Sequence, residues 1–340
     1  MTDQSRQITR RRMGALLAGA LAAPALGRAQ GAPFAGAVAR ARGLDQLHTL
    51  TIAKAGQVVV TERFRGPPLS QAVNVKSVSK TVVAAITGAA IDRGVIPGLD
   101  ANLSDVAPRL IPANADPRVA AITVENLVTL QAGLERTSGR NYGAWVQSGD
   151  WVAYALSRPF VAAPGARMLY STGTTHVLGA ALAEASGRTL LTLARDWVGG
   201  PLGIAVPPWP RDPQGRYFGG NEMRLTPAAM VRFGEMYRQR GIHEGTRVLS
   251  TGWVRDSFRA RGRSPWSGMG YGLGWFLSRA DGVDYALARG YGGQIIAVVP
   301  RRGLTVAITS DPTRPARSEG YFGDLRRLIE TDIIAAARAG

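Results

Sequence analysis

The sequence predicts an α+β fold in which one antiparallel sheet is assembled from both ends of the chain. Alternating apolar and polar residues, typical of strands, occur near the N-terminus and again in the C-terminal third, whereas helical periodicity fills the middle. A chain of 340 residues is long enough to bury the core of one large domain or of two interlocked ones. We therefore expect a sheet flanked by helices, with an inserted, mostly helical lobe.

The change of pattern sets the expected domain boundaries. Residues 30–98 and 222–340 are predicted to form the α/β domain, and residues 99–221 the mostly helical domain. A cleft between two such lobes is a common place for a ligand.

The first 29 residues have the pattern of a twin-arginine export signal. Arg10 to Arg12 are followed by an uncharged, mostly apolar run that ends at Leu26, and Gly27 and Ala29 flank a small-x-small cleavage site. Twin-arginine signals are addresses that a receptor recognises. We therefore expect the protein to be periplasmic or secreted by the twin-arginine route.

The remaining elements follow from periodicity and turn residues. A helix is predicted over 35–43, a hairpin over 47–54 and 57–64 around Ala55-Gly56, and a helix after Ser77. Further helical patterns occupy 124–130, 143–156, 174–185, 190–198, 227–241 and 320–339. Four C-terminal strands are predicted over 272–277, 283–289, 294–299 and 304–309.

Composition excludes several classes of chemistry. The chain has no cysteine, so disulfides and thiol catalysis are impossible. Its three histidines are widely spaced and show no metal-ligand pattern, so no metal and no organic cofactor are expected. His176 is predicted to be a hydrogen-bonded histidine on a helix face.

The net charge of +17 comes from scattered arginines without a recognition motif, so nucleic acid is not an expected partner. Weak attraction to anionic envelope surfaces stays an alternative.

Ser77 and Lys80 are the first candidate catalytic pair. Residues i and i+3 share one face of a helix, so this spacing puts an ammonium group beside a hydroxyl. A serine needs a neighbour that takes its proton before it is a useful nucleophile. Lysine is rare in this arginine-rich chain, and unlike arginine it can lose its proton when it is buried.

Tyr170 completes a proton-transfer set without histidine. It lies just before the helix predicted over 174–185. A free phenol has a pKa of about 10, and a nearby ammonium favours its deprotonated form. Ser77, Lys80 and Tyr170 together are therefore predicted to be the catalytic residues.

Three motifs in order resemble those of the serine β-lactamase and penicillin-recognising hydrolase superfamily, nearest to its class C-like branch. They are Ser77-Val78-Ser79-Lys80, Tyr170-Ser171-Thr172 and Ala288-Arg289-Gly290-Tyr291. That branch includes carboxylesterases, D-amino-acid peptidases and 6-aminohexanoate-dimer hydrolases. The resemblance implies the β-lactamase/transpeptidase-like fold, an acyl-enzyme on Ser77, and an oxyanion hole formed by the backbone N–H groups of Ser77 and Tyr291. It also implies that Gly290 lets the strand approach the substrate closely.

Two departures from the family pattern bear on the substrate. Thr172 stands where many relatives have asparagine, and Ala288 stands where many have a lysine or histidine that helps to fix a carboxylate. By strand alternation Arg289 should face the other side of the sheet. It is predicted to be solvated or ion-paired, although Thr172, Arg289 and Gly290 are kept as candidate substrate-binding residues.

The sequence therefore predicts an exported serine hydrolase that cleaves a small-molecule ester or amide. Two alternatives stay open: a β-lactamase or D,D-peptidase, and a non-catalytic penicillin-recognising binding protein.

Overall fold

An antiparallel sheet built from both ends of the chain forms the centre of the molecule. The computed structural model describes residues 32–317 and 320–338, so the predicted export signal lies outside the described residues. The strands within these residues are β1 (Leu47–Lys54), β2 (Gln57–Arg63), β3 (Val73–Asn74), β4 (Arg224–Leu225), β5 (Ile242–His243), β6 (Thr246–Arg247), β7 (Gly262–Arg263), β8 (Gly270–Tyr271), β9 (Phe276–Ala280), β10 (Val283–Gly290), β11 (Gln294–Val299) and β12 (Leu304–Ser310).

The order of the eight-stranded sheet is β2-β1-β12-β11-β10-β9-β8-β7. The first long strand pairs with the last, with Ile52 opposite Val306. Short β3 and β4 pair with each other, as do β5 and β6. The α+β fold class predicted from the sequence is confirmed.

Helices cover both faces of the sheet and fill the segment between β3 and β4. The α-helices among the described residues are α1 (Ala35–Gly43), α2 (Val78–Asp92), α3 (Leu103–Val106), α4 (Val124–Val128), α5 (Tyr142–Val146), α6 (Trp151–Leu156), α7 (Thr172–Ser186), α8 (Leu190–Leu193), α9 (Pro227–Arg238), α10 (Thr251–Ser257) and α11 (Tyr321–Arg327). Short 3-10 turns occupy Ala32–Phe34, Pro108–Leu110, Pro117–Ala121, Gly139–Asn141, Pro300–Arg302 and Ala336–Arg338, and wider π turns occupy Ala194–Gly199 and Leu328–Ile334.

Two hydrophobic cores lie on opposite faces of the sheet. One packs α1 and the C-terminal helix against residues such as Ile295 and Ile308. The other packs α2, α9 and the helical segment against residues such as Ala288 and Ile296. Adjacent strand residues alternate between the two cores, as a pleated strand requires. The helix α2 is buried on nearly its whole circumference, so its few polar residues must find partners inside the protein.

The helix predicted over 143–156 is interrupted. It is divided into α5 and α6 because Asp150 acts as a new N-cap, and its side chain accepts hydrogen bonds from the backbone N–H groups of Val152 and Ala153. An aspartate that bonds the backbone in this way favours a helix start over a helix interior.

The strand predicted over 272–277 is also interrupted. Between β8 and β9 the chain leaves the sheet and presses against α2. Gly274 has φ +78°, a Cβ there would lie 2.5 Å from the Cβ of Ala84, and its carbonyl accepts a hydrogen bond of 2.7 Å from the Thr81 hydroxyl. Only glycine combines this backbone conformation with so close an approach.

The C-terminal helix predicted over 320–339 has a change of winding. α11 continues into the π turns of Leu328–Ile334 and ends in a 3-10 turn. Its inward side chains are fully buried, so packing under the sheet outweighs the preference for regular α-helix. Within the described residues, no helix has the length and apolar character needed to cross a membrane.

Candidate active site

A cavity of about 960 Å³ opens where the start of α2, the loop before α7 and the end of β10 meet. Lys80 lies beneath its floor. The other six residues predicted for the site all line it, namely Ser77, Tyr170, Thr172, Arg289, Gly290 and Tyr291. The fold therefore brings together residues that are more than 200 positions apart in the chain.

Ser77 occupies the N-cap position of α2, directly after a residue in an unusual conformation. Lys76 has φ +50°, a left-handed value that a side chain other than glycine seldom adopts. The Asn74 side chain accepts a hydrogen bond of 2.8 Å from the Lys76 backbone N–H, and the Lys76 ammonium pairs with Glu222 at 2.9 Å. Asn74 also donates to Glu222. These contacts hold the turn that presents the Ser77 hydroxyl to the cavity.

Lys80 lies one helical turn further on and is only 3% exposed. Its ammonium group donates three hydrogen bonds, to the hydroxyl of Ser77 at 3.1 Å, to the hydroxyl of Thr172 at 3.3 Å and to the carbonyl of Gly220 at 2.7 Å. Burial disfavours the charged form and lowers the pKa of Lys80 to about 7. Near neutral pH, this lysine is therefore able both to take up and to release a proton.

Tyr170 lies between Ser77 and the aromatic wall of the cavity. Its ring stacks on Phe276 and meets Trp266 edge to face, with ring centres 6.3 and 6.5 Å apart. Burial raises the pKa of Tyr170 above its usual value, and the nearby Ser77 hydroxyl and the charge of Arg289 only partly offset this effect. The Lys80 ammonium lies 4.9 Å from the centre of the tyrosine ring.

Thr172 is the first residue of α7, and it connects Lys80 to a residue that sequence reasoning missed. The hydroxyls of Thr172 and Ser138 are 2.9 Å apart, and the Thr172 backbone N–H donates to Ser138 at the same distance. The neighbouring Thr137 hydroxyl accepts from the backbone of Gly173. Two adjacent hydroxyl residues directly before Gly139 were the available signal, but no local pattern places them against α7.

Gly290 ends β10 next to the start of α2. A Cβ at this position would lie 2.3 Å from the carbonyl oxygen of Val75, so a larger residue would push the strand away from Ser77. Tyr291 follows directly, and its side chain is 52% exposed at the rim of the cavity. Tyr291 and Ser77 both line the cavity.

The prediction that Arg289 is solvated or ion-paired is wrong. Its guanidinium lies 3.3 Å from the centre of the Phe322 ring and donates a 3.1 Å hydrogen bond to the carbonyl of Ala316. Burial lowers the pKa of Arg289 to about 10. Ala288 does face the opposite core, as alternation predicted, but the long side chain of Arg289 reaches the cavity along the strand edge. The cavity lining therefore includes a cation at 289, although position 288 has none.

His176 does not reach the cavity. It is fully buried on α7, and both of its ring nitrogens are bonded, Nε2 to Asp212 and Nδ1 to the backbone N–H of Gly219. This agrees with the sequence interpretation of a histidine satisfied by its neighbours. The described residues contain no cluster of potential metal ligands.

Comparison with known proteins gives one family and several similar structures. The sequence model of the beta-lactamase family matches residues 45–329. No curated protein sequence matches the chain significantly.

Three solved structures illustrate the likeness of fold, each at 18% sequence identity. A Bacillus anthracis protein provisionally assigned as a 6-aminohexanoate-dimer hydrolase has a TM-score of 0.72, with 86% of this chain and 79% of that chain covered. EstCE1, a hydrolase with promiscuous acyltransferase activity, has a TM-score of 0.72 with 92% and 99% covered. A family VIII carboxylesterase has a TM-score of 0.69 with 91% and 97% covered.

Proposed function

The chain belongs to the beta-lactamase family, and from that premise we propose that it is a serine hydrolase that cleaves an ester or amide through an acyl-enzyme on Ser77. One observation carries the proposal. A buried lysine whose pKa lies near 7 donates to the hydroxyl of a serine that lines a large cavity. A serine with a neighbouring base of suitable pKa is the basic requirement of nucleophilic catalysis.

The opposite shifts in pKa support different catalytic roles for Lys80 and Tyr170. The sequence interpretation had Tyr170, held deprotonated or hydrogen-bonded by Lys80, accept the serine proton and later pass it to the leaving group. The pKa of Lys80 is lowered and that of Tyr170 is raised, which favours a neutral amine and a neutral phenol. We therefore propose Lys80 as the base and Tyr170 as the acid.

In the first half-reaction, the Ser77 proton passes to the Lys80 amine while the serine oxygen bonds to the carbonyl carbon. The backbone N–H groups of Ser77 and Tyr291 stabilise the oxyanion, in the manner that the family resemblance implies. Tyr170 then protonates the departing alcohol or amine, and the Lys80 ammonium transfers the serine proton to the resulting phenolate, which restores both side chains. Water attacks the acyl-enzyme by the same steps in reverse and restores Ser77.

The cavity wall supports a substrate that combines an apolar group with an anionic or polar one. Aromatic residues provide the apolar part of the lining, namely Tyr142, Tyr170, Trp266, Phe276 and Tyr291. Four cationic residues and one carboxylate provide the charged part, namely Lys76, Arg136, Arg289, Arg317 and Glu222. The Thr172 at the asparagine position favours an ester over a β-lactam.

The decisive assay is hydrolysis of p-nitrophenyl esters by the full chain and by Ser77→Ala. We expect wild-type turnover that the substitution reduces to background, because no other nucleophile replaces the serine. Ser70→Ala, an exposed serine outside the cavity, is the matched control and should keep wild-type activity. Equal background rates for wild type and Ser77→Ala would instead support the non-catalytic binding protein.

Nitrocefin hydrolysis tests the alternative that the protein is a β-lactamase. We expect kcat/KM for nitrocefin to lie far below that for the preferred ester. A value that rivals the ester would make the protein a β-lactamase, with the same Ser77 mechanism.

We also propose that residues 1–29 direct export. Fractionation of cells that express the full chain should find it outside the cytoplasm, and Arg11→Lys with Arg12→Lys should retain it inside. Unchanged fractionation of the double variant would contradict export by the twin-arginine route.

A further inference from the structure

We propose that His176 is a positioning residue, which holds the Gly219-Gly220 backbone so that the Gly220 carbonyl aims the Lys80 amine at Ser77, and that Asp212 fixes the tautomer of this histidine. This inference rests on the proposed hydrolase mechanism and assigns a role to a buried pair that the mechanism does not otherwise use. Neither residue lines the cavity.

The hydrogen bonds around His176 have a fixed direction. A backbone N–H can only donate, so Nδ1 of His176 accepts from Gly219 at 3.1 Å, and the ring proton is on Nε2. Nε2 then donates to Asp212 at 3.1 Å. The imidazole therefore links the carboxylate to the backbone of the loop in one orientation only.

Asp212 is itself held in place. Its carboxylate accepts hydrogen bonds from the backbone N–H groups of Gln214 and Arg216, at 3.0 and 2.8 Å. Burial raises the pKa of Asp212, but the hydrogen bonds from His176 and Arg216 outweigh burial and leave the pKa below its usual value. An ionised carboxylate with these donors is a strong and directional anchor for the imidazole.

The loop that His176 holds has no room to move toward α7. A Cβ on Gly219 would lie 2.6 Å from the Thr175 carbonyl oxygen, and a Cβ on Gly220 would lie 2.7 Å from the Thr172 carbonyl oxygen. Trp145, Trp151 and Phe218 pack around the imidazole with ring centres 5.6 to 6.0 Å away. This packing keeps water away from the hydrogen bonds that fix the loop.

The Gly220 carbonyl decides where the Lys80 lone pair faces. The ammonium form has three N–H donors, and they go to Gly220, Thr172 and Ser77. The neutral amine has only two N–H donors and one lone pair. Because a carbonyl can only accept, Gly220 always takes one N–H, and when Thr172 takes the second, the lone pair faces the Ser77 hydroxyl. A displaced carbonyl would free the amine to rotate away from the nucleophile.

The test measures kcat and KM for a p-nitrophenyl ester in the full chain and in His176→Phe. The phenyl ring keeps most of the volume but has no nitrogen to hold Gly219. We expect kcat to fall about 10- to 100-fold, the loss typical of a misplaced catalytic group or a lost positioning contact, with little change in KM. His176→Met is measured beside it, as a second nitrogen-free variant that crowds the site less.

Rescue by a conservative variant distinguishes positioning from simple folding. In His176→Asn the amide oxygen is as many bonds from the backbone as Nδ1, so it still accepts from Gly219. We expect it to recover most of the lost kcat without Asp212, because an amide oxygen is always an acceptor and has no tautomer for Asp212 to fix. Thr305→Val, which loses a buried hydrogen bond to Glu235 away from the cavity, is the control and should lower the melting temperature without lowering kcat.

The outcomes separate this inference from the proposed function. Equal loss of kcat in the Phe, Met and Asn variants, or wild-type kcat in a folded nitrogen-free variant, would overturn the positioning role alone. A wild-type protein that neither turns over the ester nor forms a Ser77 adduct would overturn the hydrolase mechanism itself.

Discussion

Lys80 is the residue in which burial changes the chemistry most. An exposed lysine has a pKa of about 10.4 and is nearly always charged at neutral pH. Here three hydrogen-bond acceptors favour the ammonium, yet burial outweighs them and the pKa lies near 7. Arginine would stay charged in the same place, which gives a physical reason for one of the chain's few lysines to stand here.

The first prediction is the pH dependence of ester hydrolysis. A base must be unprotonated to work, so kcat/KM should be low below pH 7, rise with a midpoint of about 7, and level off above it. Tyr170 must stay protonated to act as the acid, and its raised pKa keeps it so well into the alkaline range. The measurement is kcat/KM for a neutral p-nitrophenyl ester from pH 5 to pH 10.

Lys80→Arg provides the control for this profile. It keeps the positive charge but offers no proton-accepting form, so activity should be absent across the range. Near-normal activity in Lys80→Arg, or a wild-type rate independent of pH, would contradict the assignment of Lys80 as the base.

The second prediction concerns Arg289 and the leaving group. The positive charge of Arg289 partly offsets the rise in the pKa of Tyr170, so Arg289→Gln should make the phenol a weaker acid. An acid matters most when the leaving group is poor. We expect about a 10-fold loss of kcat/KM for a neutral alkyl ester and a much smaller loss for a p-nitrophenyl ester. The measurement compares both substrates in both proteins.

Arg317→Gln is the matched variant, because Arg317 also lines the cavity but is not among the groups that affect Tyr170. Its effect should not depend on the leaving group. Equal losses on both esters in Arg289→Gln would mean that Arg289 acts on binding and not on the acid.

At the scale of single residues, the sequence predicted which residues form the site better than it predicted the contacts that they make. Spacing alone put Ser77 and Lys80 on one helix face. The reach of Arg289, the Ser138 hydroxyl and the Gly220 carbonyl depend on contacts between distant segments, and no local pattern encodes them.

The start of α2 is the element on which the site depends. A left-handed Lys76 is unfavourable by itself and persists only because its surroundings hold it. Asn74 supplies two of those contacts, one to the Lys76 backbone and one to Glu222, which is also left-handed with φ +69°. The β3–β4 ladder carries Asn74, so this short pairing supports the nucleophile.

The third prediction is that Asn74→Ala weakens both the fold and the site. Loss of these hydrogen bonds should lower the free energy of unfolding by about 1–3 kcal/mol. The released turn should also lower kcat about 10-fold or more, because a small misplacement of a nucleophile is costly. Denaturant unfolding and ester kinetics measure the two effects.

Asn102→Ala serves as the comparison, since its side chain makes only an exposed contact with Asp105. It should change neither quantity measurably. Wild-type kcat in a folded Asn74→Ala would show that Ser77 does not need the hydrogen bonds that Asn74 makes to Lys76 and Glu222.

Elements were predictable where one local pattern dominated. The helix α1 and the strand β11 match their predicted bounds, and β10 and β12 each extend one residue further. The failures occur where a tertiary or capping contact overrides periodicity: Asp150 begins a new helix, and Gly274 leaves the sheet to pack on α2.

At the scale of the whole molecule, the chain is strongly basic and so is its cavity. The net charge is +17, and the lining has four cationic residues against one carboxylate. A cleft of one sign raises the local concentration of oppositely charged ligands, and salt screens this attraction. The scattered arginines, which argue against nucleic acid as a partner, are thus compatible with attraction of a small anionic substrate to the cavity.

The fourth prediction follows from the positive charge of the cavity. Increasing NaCl from about 0.02 M to about 0.5 M should lower kcat/KM several-fold for a p-nitrophenyl ester with a carboxylate on its acyl chain, because screening grows with ionic strength. The butyrate ester, which is neutral, should change little and is the control. Equal salt effects on both esters would show that the cavity charge does not select the substrate.

The overall architecture was predictable because the patterns of strands and helices extend over most of the chain. Strand patterns at both ends and helices between them predict an antiparallel sheet assembled from the two ends of the chain, which the structure confirms by pairing β1 with β12. The family resemblance from three motifs is confirmed by the match over residues 45–329. Which walls of the cavity are aromatic and which are cationic could not be predicted, because they come from loops whose positions only the packed molecule defines.

The most direct test of the central claim is to locate the covalent adduct after treatment with a fluorophosphonate. Intact-mass and peptide analysis of the wild type should find one adduct, on the peptide that contains Ser77. Ser77→Ala should remain unlabelled, and Lys80→Arg should label far more slowly. An adduct on another serine, or equal labelling of wild type and Ser77→Ala, would contradict the account.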